Sequence, residues 1–121
     1  MARVLIVDDS PTEIHKLTDW LEKHGHQVIK ASNGADGVAL ARQEKPDAVL
    51  MDIVMPGMNG FQATRQLSKD PETRDIPVLV VTTKDQDTDR IWATRQGARD
   101  FLTKPIDEDA LISKLDEVLR A

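Results

Sequence analysis

Cysteine is absent from the 121 residues, which excludes disulfides and thiolate metal sites and suits a reducing cytosol. Long apolar runs are absent as well. The amino terminus offers Arg3 and then only Val4 to Val7 before Asp8. A signal peptide needs a longer apolar stretch, and a membrane span needs about 20 residues. Runs such as Val78 to Val81 have strand length. Basic charge is in deficit: 16 Lys and Arg stand against 21 Asp and Glu, giving a net charge of −5. With no basic stripe to neutralise phosphates, nucleic-acid binding is not expected. No linker, low-complexity tract or repeat interrupts the chain. The expectation is one cytoplasmic domain over residues 1–121, with no membrane insertion and no attached output domain.

What the sequence does contain is an alternation of short β-branched runs with amphipathic stretches. Val4–Val7 reads as a strand and Pro11–His24 as a helix with Ile14, Leu17 and Leu21 on one stripe. Gly25 stands where a left-handed C-terminal cap is wanted. Gln27–Ala31 is a second strand, followed by a turn at Asn33-Gly34 and a helix through Val38, Leu40 and Ala41 that Pro46 closes. Ala48–Met51 is a third strand, and the turn residues of IVMPGMNG lead to a helix from Phe61 to Lys69. Val78–Val81 is a fourth strand ending at Thr82; Asp85, Asp87 and Asp89 introduce a helix that Gly97 ends. Phe101–Thr103 is a fifth strand, and Asp107 to Leu119 the last helix. Strands alternating with helices imply a parallel sheet, because parallel strands need helical crossovers. Those crossovers are right-handed and cover both faces, so the class is a doubly wound α/β fold.

In such sheets ligands bind beyond the carboxyl ends of the strands. Those ends deliver Asp8 and Asp9, Asp52, Thr82 and Lys104. A structural role for Asp8 and Asp9 is the alternative, but Ser10-Pro11-Thr12-Glu13 already fits a capping box, with Ser10 as N-cap and Glu13 reaching back. If the strand carrying Asp52 lies beside the first, three carboxylates converge. Two such charges about 4 Å apart repel by roughly 4 kcal/mol at an effective dielectric near 20. The cluster then holds a proton or a cation. Hard oxygen donors with room for water suit Mg²⁺, and Mn²⁺ can substitute. His15, His24 and His26 lie on or just after a helix end and are expected on the solvated surface. Thr82 and Lys104 supply what a phosphoryl group needs, since its transfer spreads negative charge over three equatorial oxygens. Asp52 is the candidate nucleophile, because a carboxylate carries a phosphoryl group as an acyl phosphate.

The motifs LIVDDS, LMDIVMPGMNG, VTT and FLTKP stand in this order and spacing. In that combination the whole chain resembles the receiver domain of two-component response regulators, of the stand-alone CheY-like kind. The resemblance implies a (βα)₅ flavodoxin-like fold with strand order 2-1-3-4-5. It implies phosphorylation of Asp52, with direct Mg²⁺ ligation by Asp9, Asp52 and the backbone carbonyl of Val54, and with Asp8 acting through water. Thr82 and Lys104 match the family's phosphate-sensing hydroxyl and lysine, and the Lys104–Pro105 peptide matches one that the family holds in cis. Phe101 stands at the switch aromatic, where tyrosine is frequent, and a plain core aromatic is its other reading. The face of the fourth helix, fifth strand and fifth helix is the family's output surface and a route to dimerisation of an otherwise monomeric protein. Trp92 lies on that fourth helix, either as an interface anchor or as helix packing. Val54 and Lys84 flank the phosphoacceptor, where access of water would be set.

The stretches LIVDDSPTE, HGHQVIKASNGADGVALARQEKPD and GFQATRQL further resemble regulators of type IV pilus twitching motility. That likeness implies a CheA-type histidine kinase as phosphodonor and chemotaxis-like signalling. Output would pass to a downstream protein target or consist of draining phosphate from a shared kinase. On this reading the protein is a signalling switch, not an enzyme, and catalyses only its own phosphoryl transfer and slow dephosphorylation. Two other classes fit less well. A haloacid-dehalogenase-like phosphohydrolase wants a second acid two residues after the nucleophile, and Val54 is there. An FMN-binding flavodoxin needs a phosphate cradle after the first strand, and DDSPTE is too acidic for one.

Overall fold

The computed structural model describes residues 2–83 and 86–120; Lys84 and Asp85, both singled out above, lie outside the described residues. Ten elements alternate: β1 (Arg3–Val7), α1 (Pro11–Lys23), β2 (Gln27–Ala31), α2 (Gly34–Glu44), β3 (Ala48–Met51), α3 (Gly60–Lys69), β4 (Val78–Thr82), α4 (Asp87–Arg95), β5 (Asp100–Thr103) and α5 (Glu108–Arg120). The strands form one parallel sheet of order β2-β1-β3-β4-β5, the doubly wound order that the resemblance implies.

Successive strand residues point to opposite faces, and both faces are buried. Leu5, Val7, Val49, Met51, Val78 and Val80 join one core with Ala41 of α2, Ala63 and Leu67 of α3 and Ala93 of α4. Val4, Ile6, Leu50, Leu79 and Val81 join the other with Leu17 and Leu21 of α1 and Leu111, Leu115 and Val118 of α5. Leu5, Ile6, Leu50 and Leu79 are at most 1% exposed, and each such side chain contributes roughly 1.5–3 kcal/mol on burial.

The register sets the rest. Val7 pairs with Ala31 on one side and with Met51 on the other. Asp8 and Asp52 are therefore the next residues out on adjacent strands. The Asp52 N–H donates to the Val7 carbonyl at 2.9 Å, and the Asp8 N–H to the Ala31 carbonyl at 3.1 Å. At the far side Thr82 pairs with Thr103, and the Lys104 N–H donates to the Thr82 carbonyl at 2.7 Å. The Lys104–Pro105 peptide is cis.

Helix ends follow their caps, with three departures from the sequence reading. Gly25 terminates α1 at φ 86°, a conformation that costs glycine nothing. At the start of α1, Ser10 Oγ accepts from the Glu13 N–H at 3.3 Å, but the box is not closed by Glu13. The Ser10 N–H donates instead to Asp8 Oδ1 at 2.9 Å. Asp8 is thus part of the helix start, which the sequence reading assigned to Ser10 and Glu13 alone. Asn33-Gly34, expected as a turn, is a helix start: Asn33 Oδ1 accepts from the Asp36 N–H at 2.8 Å. His26 leaves the expected solvated role, because its Nδ1 accepts the Ala2 N–H at 3.1 Å in a partly buried position. His15 and His24 do lie on the surface, paired with Asp19 and Glu108.

Candidate functional site

The carboxyl ends of β1, β3, β4 and β5 converge at one edge of the sheet. Asp8 is 2% exposed and Asp52 7%, whereas Asp9, one residue farther out, is exposed. One carboxylate oxygen from each of Asp8, Asp9 and Asp52 lies within 4.8 Å of the others. Lys104 reaches over this trio, with Nζ 2.7 Å from Asp8 Oδ2 and 3.6 Å from Asp52 Oδ2. The fully buried Thr82 hydrogen-bonds the Asp52 carboxylate through its side chain, and Asp52 Oδ1 also accepts the Ile53 N–H at 2.8 Å.

These contacts pull on the two central charges in opposite ways. Burial, joined by the negative charge of Asp8, pushes the Asp52 pKa above the ordinary carboxylate value; Lys104, Thr82 and the Ile53 N–H only partly oppose it. Burial disfavours the Lys104 ammonium, but its hydrogen bond to Asp8 and the charges of Asp52, Asp8 and Glu13 outweigh that and hold its pKa above the usual lysine value. Among the described residues, Lys104 is the cation that pairs with this carboxylate trio.

Three converging carboxylates are a hard-oxygen donor set, and they fit a hard divalent cation such as Mg²⁺. Val54 follows on the loop that leaves Asp52, and it is 53% exposed. Phe101 is 7% exposed within the core that faces α2, α3 and α4, and the Arg90 guanidinium lies 4.8 Å from its ring. Trp92 is 52% exposed, beside Ile91 at 51%, and the Arg95 guanidinium of the same helix lies 6.0 Å from its ring.

Two neighbours of the site escaped the sequence reading. Glu13 Oε2 stands 4.0 Å from Lys104 Nζ, although the sequence marked Glu13 only as a helix cap. Gly60 packs so closely that a Cβ there would strike the Asp52 carbonyl oxygen and come within 2.7 Å of the Ile53 Cα. Its place beside Asn59 had suggested no more than a turn.

Residues 4–116 match the family profile described as the response regulator receiver domain. The chain is 74% identical over 119 residues to Protein PilH of Pseudomonas aeruginosa, covering 98% of each. Among solved structures it is similar to the chemotaxis protein CheY4 of Vibrio cholerae, with a TM-score of 0.92, 29% identity and 98% of both chains covered. It is also similar to the receiver domain of a Pseudomonas aeruginosa sensor histidine kinase that has a magnesium ion coordinated in its active site cleft. There the TM-score is 0.92 and the identity 27%, over 99% of this chain and 98% of that one.

Proposed function

The chain belongs to the response regulator receiver family, and on that premise we propose that Asp52 accepts a phosphoryl group from a phosphohistidine of a CheA-type kinase. The observation that supports this most directly is the setting of the Asp52 carboxylate. It is buried, bonded by Thr82, and 3.6 Å from the Lys104 ammonium within the aspartate trio. In the reaction an Asp52 carboxylate oxygen forms a bond to phosphorus as the P–N bond to the donor imidazole breaks. The imidazole leaves as the neutral ring, keeping the proton already carried on its other nitrogen, and an acyl phosphate remains. Asp9, Asp52 and the Val54 backbone carbonyl, with Asp8 through water, would hold Mg²⁺, which when bound would supply positive charge to the phosphoryl oxygens.

The chain's own groups do the rest. Thr82 turns its hydroxyl from the carboxylate to a phosphoryl oxygen, and Lys104 donates to another. The pull on Thr82 is relayed to Phe101 and the surface of α4, β5 and α5, where a partner reads the state. Such a change is a shift between existing conformations, driven by their difference in affinity for the phosphoryl group. The protein acts as a switch in the cytoplasm. The likeness of its LIVDDSPTE and GFQATRQL stretches to twitching-motility regulators, with the identity to PilH, supports a place in type IV pilus-driven surface motility.

The test mixes the protein with Mg²⁺ and radiolabelled acetyl phosphate or a phosphorylated kinase, beside Asp52→Asn. Acid-labile label on the native protein and none on the variant is expected. Acid-stable label, or equal labelling of the variant, would sink the acyl-phosphate reading.

A further inference from the structure

Glu13 projects from the first turn of α1 toward the site, and its two oxygens are not alike. Oε1 pairs with Lys16 Nζ at 2.9 Å. Oε2 is buried from solvent and accepts no hydrogen bond. A buried carboxylate oxygen without a donor is uncommon enough to need a cause. Helix capping is not that cause, since the Ser10 N–H goes to Asp8. The pair with Lys16 is not either, because it uses only the other oxygen.

The group within reach is the Lys104 ammonium, 4.0 Å from Oε2. That ammonium has three N–H donors. It now spends its shortest contact on Asp8 Oδ2 at 2.7 Å and lies 3.6 Å from Asp52 Oδ2. Both carboxylates are needed elsewhere once the site fills: Asp8 faces the cation and Asp52 carries the phosphoryl group. A divalent cation also repels the ammonium that shares its ligands. A displacement of Nζ by about 1 Å toward α1 brings Oε2 into hydrogen-bond range.

We propose that Glu13 is a positioning residue for Lys104. Its vacant buried oxygen takes one ammonium N–H as the site loads, so that the lysine charge stays beside the phosphoryl group while Asp8 turns to the cation. This rests on the phosphoacceptor reading given above. It separates Glu13 from the metal-binding aspartates: it acts on the lysine and touches neither the cation nor the phosphoryl group.

The test uses the full chain as native protein, Glu13→Gln, Glu13→Asp, Lys104→Met and the double variant Glu13→Gln/Lys104→Met, each checked for cooperative unfolding. Labelling rates are measured with Mg²⁺ and acetyl phosphate. Glu13→Gln removes the charge and Glu13→Asp shortens the reach, and both are expected to slow labelling about tenfold, the order of one charge-assisted hydrogen bond. In the Lys104→Met background, Glu13→Gln is expected to change the rate less than twofold, because its target is gone. A second readout needs no label: the Glu13→Gln/Lys104→Met cycle is repeated in urea unfolding, with saturating Mg²⁺ and in chelator. The coupling of Glu13 with Lys104 is expected to be larger with Mg²⁺ than in chelator. Native-rate labelling of both Glu13 variants, the same tenfold loss with Lys104 absent, or a coupling that Mg²⁺ leaves unchanged would each overturn the inference. Failure of the native protein to take label would instead overturn the phosphoacceptor reading, and the unfolding cycle would still decide the pairing of Glu13 with Lys104.

Discussion

Replacing Gly60 with alanine sets two effects of opposite sign against each other. Gly60 is the first residue of α3, behind the Asn59–Gln62 capping box. Alanine in place of a helical glycine ordinarily stabilises by about 0.5–1 kcal/mol. Here the added methyl would strike the Asp52 carbonyl oxygen, 2.7 Å from the Ile53 Cα and 2.8 Å from the Asp52 carbonyl carbon. All three neighbours are backbone atoms, and the Gly60 N–H is itself bonded to the Ile53 carbonyl at 2.9 Å. Nothing there can rotate away. Forced overpacking costs about 1–3 kcal/mol, and a rigid backbone neighbour puts this case at the upper end. The clash wins, with a net loss of about 2 kcal/mol. Urea unfolding measures it, as a lower midpoint at an unchanged slope. Because the displaced atoms belong to Asp52 and Ile53, acetyl phosphate labelling should fall as well. Gly57→Ala is the control: its φ is +73° with no atom within 4 Å of an added Cβ, so only conformational strain of about 1 kcal/mol is at stake. A Gly60→Ala protein as stable as the native one would refute the steric reasoning.

Other outcomes follow from the same geometry. Lys104→Met leaves Asp8 and Asp52 facing one another without their cation, and urea unfolding in a chelator should show a loss of about 3 kcal/mol, partly restored by Mg²⁺. Burial holds the His26 pKa below its ordinary 6.5, so the folded state resists protonation and stability falls as pH drops through 6.5 toward the folded value. The His26→Gln variant should lack that component of the pH slope in thermal melts between pH 7 and pH 5. Trp92→Ala should leave the melting temperature nearly unchanged, since the ring is half exposed, within about 0.5 kcal/mol. Phe101→Ala, in the core, should cost about 3 kcal/mol by the same measurement.

Much of this architecture is written in local patterns. The apolar runs at Val4, Ala48 and Val78 mark the buried strands because a two-faced sheet needs no alternation. Asp8, Asp52, Thr82 and Lys104 could be gathered from sequence because each stands where a run stops. What stayed hidden depends on distance across the fold. Ser10 to Glu13 has the composition of a closed box, yet Asp8, fixed by the end of β1, competes for the Ser10 N–H. A motif read along the chain cannot weigh a rival held in place by the sheet. His26 looked like a surface residue until the N-terminal segment came alongside it. Trp92 was undecidable because Ile91 is adjacent and only Ala93 of α4 is buried, which leaves no stripe to orient the helix. Gly60 gave no sign because its need is for closeness to Asp52, not for an unusual φ.

The pairing of Val7 with Met51 carries one more consequence. The distance between Asp8 and Asp52 is not maintained by any contact between the two side chains. It is counted out by the hydrogen-bond ladder of β1 and β3. The site should therefore tolerate exchange of one apolar strand residue for another far better than the loss or gain of one. A single-residue deletion in β1 slides every residue after it by one place, and each strand side chain then faces the opposite side of the sheet. Asp9 would inherit the place of Asp8, and the strand residues would enter the wrong core. Length, more than composition, is what these two strands have to keep.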